Sequence, residues 1–299
     1  MAWGRAVGRL VFRPILSRAG GTVKMNSRGA AVLVKILYHI SCKILREGVY
    51  CQQKGRKAPE EEGGGPVERI LEQLSERKNF VFLGEAGSGK SELAINFARH
   101  MAARGGRPVH FFDLDMTKPL FRSRDAAAEL EAAGIVVHFQ EQFMDAPTLV
   151  GGVSPLLRHP EATVIMDVGG DYIGARSIGG FAPQLNRPDA AVFYVVNPYR
   201  PWSDTIEHMD GTLGKILGMS HVRLSQLFLV SNPNNGITTT AAEVVAGYRR
   251  TVELVGEYIP VSFACVREEL LDQVEPCLDV PVLPLKLALT YPWLAEEEP

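Results

Sequence analysis

From residue 66 onward, short apolar runs alternate with longer segments in which apolar residues recur every three or four positions. The short runs 79–83, 109–113, 135–139, 163–167, 190–196 and 227–230 predict strands, and 281–284 predicts a further one. The segments 66–77, 90–104, 126–133, 204–217 and 241–258 have helical spacing. Strand and helix follow one another in turn, which predicts an α/β fold: a doubly wound, mostly parallel sheet with helices on both faces. No unit repeats at a period of 20 to 50 residues. One domain, 66–299, accounts for this pattern.

The first 65 residues behave differently. Up to Arg46 they hold nine Lys or Arg and no Asp or Glu. A transit peptide has this arginine-rich, acid-poor character, and a basic amphipathic helix lying on an anionic membrane surface has it too. Met25 is a further candidate start. Within 30–45, Lys35, His39 and Lys43 interrupt the apolar run, so a membrane-spanning helix is not expected. The stretch 30–49 reads as a terminal helix packed on the domain or as a weak peripheral membrane contact. Residues 52–66, with runs of basic, acidic and glycine residues, read as a linker.

Composition narrows the classes. The chain is 46% hydrophobic and 22% charged, which suits a globular protein, and its net charge of −2 indicates no nucleic-acid partner. Cysteines 42, 51, 265 and 277 have no metal-ligand spacing, and unpaired thiols fit a reducing cytoplasm, the expected location.

The strongest chemical signal lies at 84–91, Gly-Glu-Ala-Gly-Ser-Gly-Lys-Ser, between a predicted strand and a predicted helix. This is the P-loop pattern GxxxxGK[ST]. Gly84, Gly87 and Gly89 let the backbone wrap a phosphate, with Ser88 contributing its amide to the loop. Lys90 brings a point charge to the β and γ phosphates, and the Ser91 hydroxyl is a magnesium ligand. A nucleoside triphosphate, ATP with Mg2+, is the expected cofactor.

A magnesium site needs acids at neighbouring strand ends. Asp167 closes an apolar strand and is the expected Walker B acid, while the following Val168, Gly169 and Gly170 make a loop whose second glycine can approach a γ phosphate. Asp171 suits helix capping. Asp113 and Asp115 end another strand, one placed to hold the metal's water shell and the other to orient an attacking water.

These landmarks together resemble the MinD and ParA class of P-loop ATPases, within the SIMIBI group that includes the nitrogenase iron protein and the CobQ-type ATPases. The resemblance covers about 79–290. The phrase from Asp113 through Lys118 to Arg124, and 167–175, are similar to a set of bacterial ATP-binding proteins in this class. The resemblance implies that Asp115 supports hydrolysis and that a homodimer is the working form. It also implies an unidentified protein partner. One position departs: Glu85 stands where the class has a lysine that reaches a partner's phosphates. Arg122 and Arg124 are the candidates to supply that charge instead.

For base choice, the late strands end in Asn197-Pro198 and Asn232-Pro233 without the lysine and acid of guanine-specific loops. An asparagine amide both donates and accepts, as adenine's edge requires, and the class resemblance favours Asn232. The expected function is a slow switch-type ATPase acting on a partner or in cofactor assembly. A small-molecule kinase and a non-hydrolysing nucleotide-binding scaffold are the alternatives.

Overall fold

The computed structural model describes residues 64–115, 123–139, 151–170 and 172–289. The basic segment, the start at Met25, the linker up to residue 63, Lys118, Arg122 and Asp171 lie outside the described residues.

Among the described residues eight strands form one sheet in the order β3-β2-β4-β1-β5-β6-β7-β8, every neighbouring pair parallel. They are β1 Asn79–Gly84, β2 Val109–Leu114, β3 Val136–His138, β4 Thr163–Val168, β5 Ala190–Val196, β6 Leu227–Ser231, β7 Val261–Arg267 and β8 Val282–Leu285. The helices that cover them are α1 Pro66–Gln73, α2 Lys90–Arg104, α3 Ala127–Ala132, α4 Val153–Arg158, α5 Tyr172–Ser177, α6 Ala182–Leu185, α7 Ile206–Ser220, α8 Ala241–Val255 and α9 Leu271–Val274. The doubly wound α/β fold expected from the alternating pattern is therefore the fold observed.

Period-two alternation in the central strand builds two cores. Phe80 and Phe82 of β1 face one side, where Phe97 of α2, Phe111, Phe193 and Phe263 join them and ring centroids lie 4.9 to 6.2 Å apart among Phe80, Phe82, Phe97 and Phe193. Val81 and Leu83 face the other side, against Met166, Val192 and Tyr194 of the sheet, Leu157 of α4, Ala175 of α5 and Ile216 of α7. With both faces covered, strands β1, β4 and β5 are buried at every position, as all-parallel sheets require.

Three differences from the expected elements have plain causes. Strand β7 was not anticipated, because its Ser262, Ala264 and Cys265 dilute the β-branched signal of the run. Helices α4, α5 and α6 have six, six and four residues, too short for a helical period to show. Helix α7 begins at Ile206 because the Thr205 side chain accepts from the His208 amide as its N-cap.

The order reverses at β1: the chain leaves it for β2 on the side of β4, and after β4 crosses over to β5 on the other side. Such a switch point leaves a crevice at the carboxyl ends of the strands. Residues that end β1, β2, β4, β5 and β6 are brought to that one edge.

Candidate functional site

The loop after β1 enters α2 through Gly89, whose φ of 86° is the left-handed conformation at the helix N-cap. A side chain there is excluded twice: the backbone is strained for an L residue, and a Cβ would lie 2.2 Å from the Asn232 amide nitrogen. Gly84 and Gly87 also take positive φ. The loop thus leads into the N-terminal turn of a 15-residue helix, an arrangement that attracts anions, while the Ser88 amide donates within the loop to the Glu85 carbonyl at 3.1 Å.

Lys90 and Ser91 sit at the base of this cradle, 1% and 3% exposed. The Lys90 ammonium lies 3.7 Å from the Asp115 carboxylate, itself 2% exposed. A buried cation facing a buried carboxylate is stable only as a pair or with an anion to replace it. Asp167 is fully buried at the end of β4 and in register with Asp113 of β2. Ser91, Asp115 and Asp167 are hard oxygen donors of the kind Mg2+ takes.

Asp113 has another occupation. Its Oδ2 accepts from Arg124 Nε at 2.7 Å and from the Arg124 amide at 3.2 Å, and its Oδ1 accepts from the Asp115 amide at 3.0 Å. Arg124 Nη2 also donates to the Asp115 carbonyl at 3.2 Å. Asp113 and Arg124 together fix the backbone that presents Asp115.

The loop after β4 touches the P-loop. A Cβ on Gly170 would lie 2.6 Å from the Ala86 nitrogen and 2.9 Å from the Glu85 carbonyl carbon, so only hydrogen fits between the two loops. Behind it, a Cβ on Gly174 of α5 would meet the Gly169 carbonyl at 2.3 Å, which ties the loop to the helix that follows.

Glu85 points inward. It is 4% exposed and lies against the Ser203 and Thr212 hydroxyls, beside Tyr194 of β5. Burial raises its carboxyl above the ordinary range, only partly offset by those hydroxyls and by His208. A side chain held there does not reach out toward another molecule.

The carbonyls of a phosphate loop point away from the anion, and here the ends of β5 and β6 hold them. Asn232 Nδ2 donates to the Ser88 carbonyl at 2.8 Å, and Arg200 Nε donates to the Gly87 carbonyl at 3.1 Å. Asn197 ties the two ends together, donating to the Asn234 carbonyl at 2.8 Å while its Oδ1 accepts from the Tyr199 and Asn234 amides. Asn232 was expected from sequence as a contact to the adenine edge, and its Nδ2 is instead on the P-loop. Asn197 and Arg200 were not given roles, and the Asn-Pro after a strand was the one signal available for the first.

A cavity of about 230 Å³ runs from the P-loop past Arg200 and Asn232 to an apolar end formed by Ile237, Val244, Leu270, Leu285, Leu287 and Leu289. Glu92 of α2 is the one carboxylate among the described residues lining it. It accepts from the Ala288 and Leu289 amides at 3.0 and 2.8 Å, and so clips the segment after β8 to the wall.

No protein-family model and no curated protein matches the chain. Among solved structures it is similar to the signal recognition particle receptor FtsY from Elizabethkingia anophelis, at 16% identity over 81% of this chain and 74% of that one, with a TM-score of 0.42. Chloroplast FtsY from Physcomitrella patens is similar at 17% identity, covering 77% and 74% of the two chains, with a TM-score of 0.40. The signal recognition particle 54 kDa protein from Aeropyrum pernix, crystallised with GDP, gives 14% identity, 83% and 54% coverage and a TM-score of 0.30.

Proposed function

We propose that this protein is a magnesium-dependent ATPase of the switch type, similar to the MinD and ParA class, whose nucleotide state is read by a partner protein or a cofactor-assembly process. The observation that carries the reading is the contact between Gly170 and the P-loop at Ala86, beside the buried Lys90 and Asp115. A γ phosphate arriving at Lys90 would meet that loop, and its loss would release it.

The assigned roles follow from position. Gly84, Gly87, Ser88, Gly89 and Lys90 hold the phosphates through loop amides and one ammonium. Ser91 and Asp167 would hold Mg2+, which would supply positive charge against that of the phosphates. With a phosphate at Lys90, the Asp115 carboxylate beside it would orient the attacking water. Asp113, with both oxygens on protein donors, serves as anchor for Arg124 and Asp115 in preference to the metal.

Adenine is favoured over guanine by what the cavity offers. Guanine presents N1–H and N2–H donors that need a carboxylate, and Glu92 already accepts from two backbone amides. The Asn232 amide supports the P-loop, leaving adenine to be held by backbone groups and apolar walls. The inward Glu85 argues against supply of a phosphate-binding charge across a homodimer by that residue, so a dimer of this protein would use other contacts.

A small-molecule kinase would need an arginine pair such as Arg122 and Arg124 to grip a phosphate acceptor, and Arg124 is instead bound to Asp113 at 2.7 Å. Among the described residues no helix is long and apolar enough to cross a membrane.

The test is turnover of ATP with Mg2+ by the full chain, wild type against Asp115→Asn. Removal of a group that positions the attacking water lowers such rates by about 10² to 10⁴, so Asp115→Asn should hydrolyse at the background rate while binding ATP. Equal turnover by the two proteins would remove Asp115 from its role.

A further inference from the structure

Arg200 lines the cavity beside the P-loop, together with Gly87, Gly89 and Lys90. Its Nε holds the Gly87 carbonyl at 3.1 Å, and the side chain from Cδ to Cζ lies along the loop, within 3.6 Å of where a Gly87 Cβ would be. Carbonyls of a phosphate loop turn away from the anion, so a guanidinium held on one lies on the outer side of the phosphate cradle. The same side chain lines the cavity that continues to Ile237 and Leu285. The turn that carries it is fixed, since the Arg200 amide donates to the Asn197 carbonyl at 3.0 Å and the Ser203 amide to the Arg200 carbonyl at 3.0 Å. Arg200 is half-buried, and its Nε–Gly87 bond fixes the plane of the guanidinium before any ligand arrives.

We infer that Arg200 is a nucleoside-contacting residue: its guanidinium packs against the base and ribose as the cationic wall of the cavity while one edge holds the P-loop. This rests on the nucleotide-binding reading above and adds to it a specific contact from the turn after β5. A planar cation over a π face is attracted to it, more so where solvent is thin. Lysine cannot replace it, because an ammonium has neither the planar face nor the fork that serves carbonyl and ligand together.

The experiment is calorimetric binding of ATP, ADP and inorganic tripolyphosphate, each with Mg2+, to the full chain as wild type, Arg200→Ala, Arg200→Lys and Lys90→Ala. Arg200→Ala should weaken ATP and ADP alike by about tenfold and leave tripolyphosphate within twofold. Arg200→Lys should recover little of the loss. A guanidinium that only props the loop predicts equal weakening of ATP and tripolyphosphate, and that result overturns the inference. ATP affinity unchanged in Arg200→Ala overturns it as well. The underlying reading fails separately: wild type and Lys90→Ala would then bind ATP equally poorly, and both conclusions would fall.

Discussion

Replacing Gly170 by alanine tests whether the loop after β4 senses the γ phosphate. The added Cβ would sit 2.6 Å from the Ala86 nitrogen, a backbone atom that no rotamer change can move away. Ordinary contact begins near 3.4 Å, so the two loops must separate by about 0.8 Å. The φ of Gly170 is not in the left-handed range, so the effect is one of packing and not of backbone strain. Misplacement of reacting groups by about 1 Å costs on the order of 10²-fold in rate. Overpacking of this size also costs about 1 to 3 kcal/mol of stability. ADP has no γ phosphate for the loop to meet, so its affinity should stay within threefold. Single-turnover hydrolysis at saturating ATP is the assay, with ADP binding and a urea melt as controls. Turnover within threefold of wild type in a folded Gly170→Ala protein would show that the contact is not used.

Three other outcomes follow from buried charges. Arg124→Ala leaves the fully buried Asp113 carboxylate facing only backbone amides, and should destabilise by about 3 kcal/mol in urea; a double change of both residues to leucine should cost less than the two single changes added together. Burial makes the folded protein hold the Glu85 proton more tightly than the unfolded chain does, so wild type loses stability as pH rises above the ordinary glutamate value of 4.5 toward the raised folded value; Glu85→Gln should match wild type near pH 4 and exceed it at pH 7 in thermal melts. His110 and His138 share a 3.1 Å hydrogen bond, and burial lowers both, so stability should be complete above about pH 6.5 and fall as pH drops below it; His110→Phe with His138→Phe should flatten that slope in part, the remainder coming from the buried His100.

The P-loop was legible because its chemistry is local: eight consecutive residues between an apolar run and a helical one specify strand, turn and anion site together. Asp167 was legible for the same reason, as the acid that ends an unbroken apolar strand. Arg200 was not, since its bond to Gly87 joins residues 113 positions apart and nothing in Tyr199-Arg200-Pro201 marks the direction of its side chain. Glu85 was visible as a departure from the lysine of similar ATPases, but its burial against Ser203 and Thr212 depends on where α7 packs. Asp113 and Asp115, equal in sequence, are separated by Arg124, which occupies the first and leaves the second beside Lys90. The apolar end of the cavity draws on the segment after β8, which Glu92 of α2 clips into place from 197 positions away.

The most direct measurement is equilibrium binding of ATP and of GTP, with Mg2+, to the wild-type chain and to Lys90→Ala. The account predicts that ATP binds at least tenfold more tightly than GTP and that Lys90→Ala loses most of that affinity. Equal or tighter binding of GTP would contradict the adenine pocket, and ATP binding undiminished in Lys90→Ala would contradict the P-loop site itself.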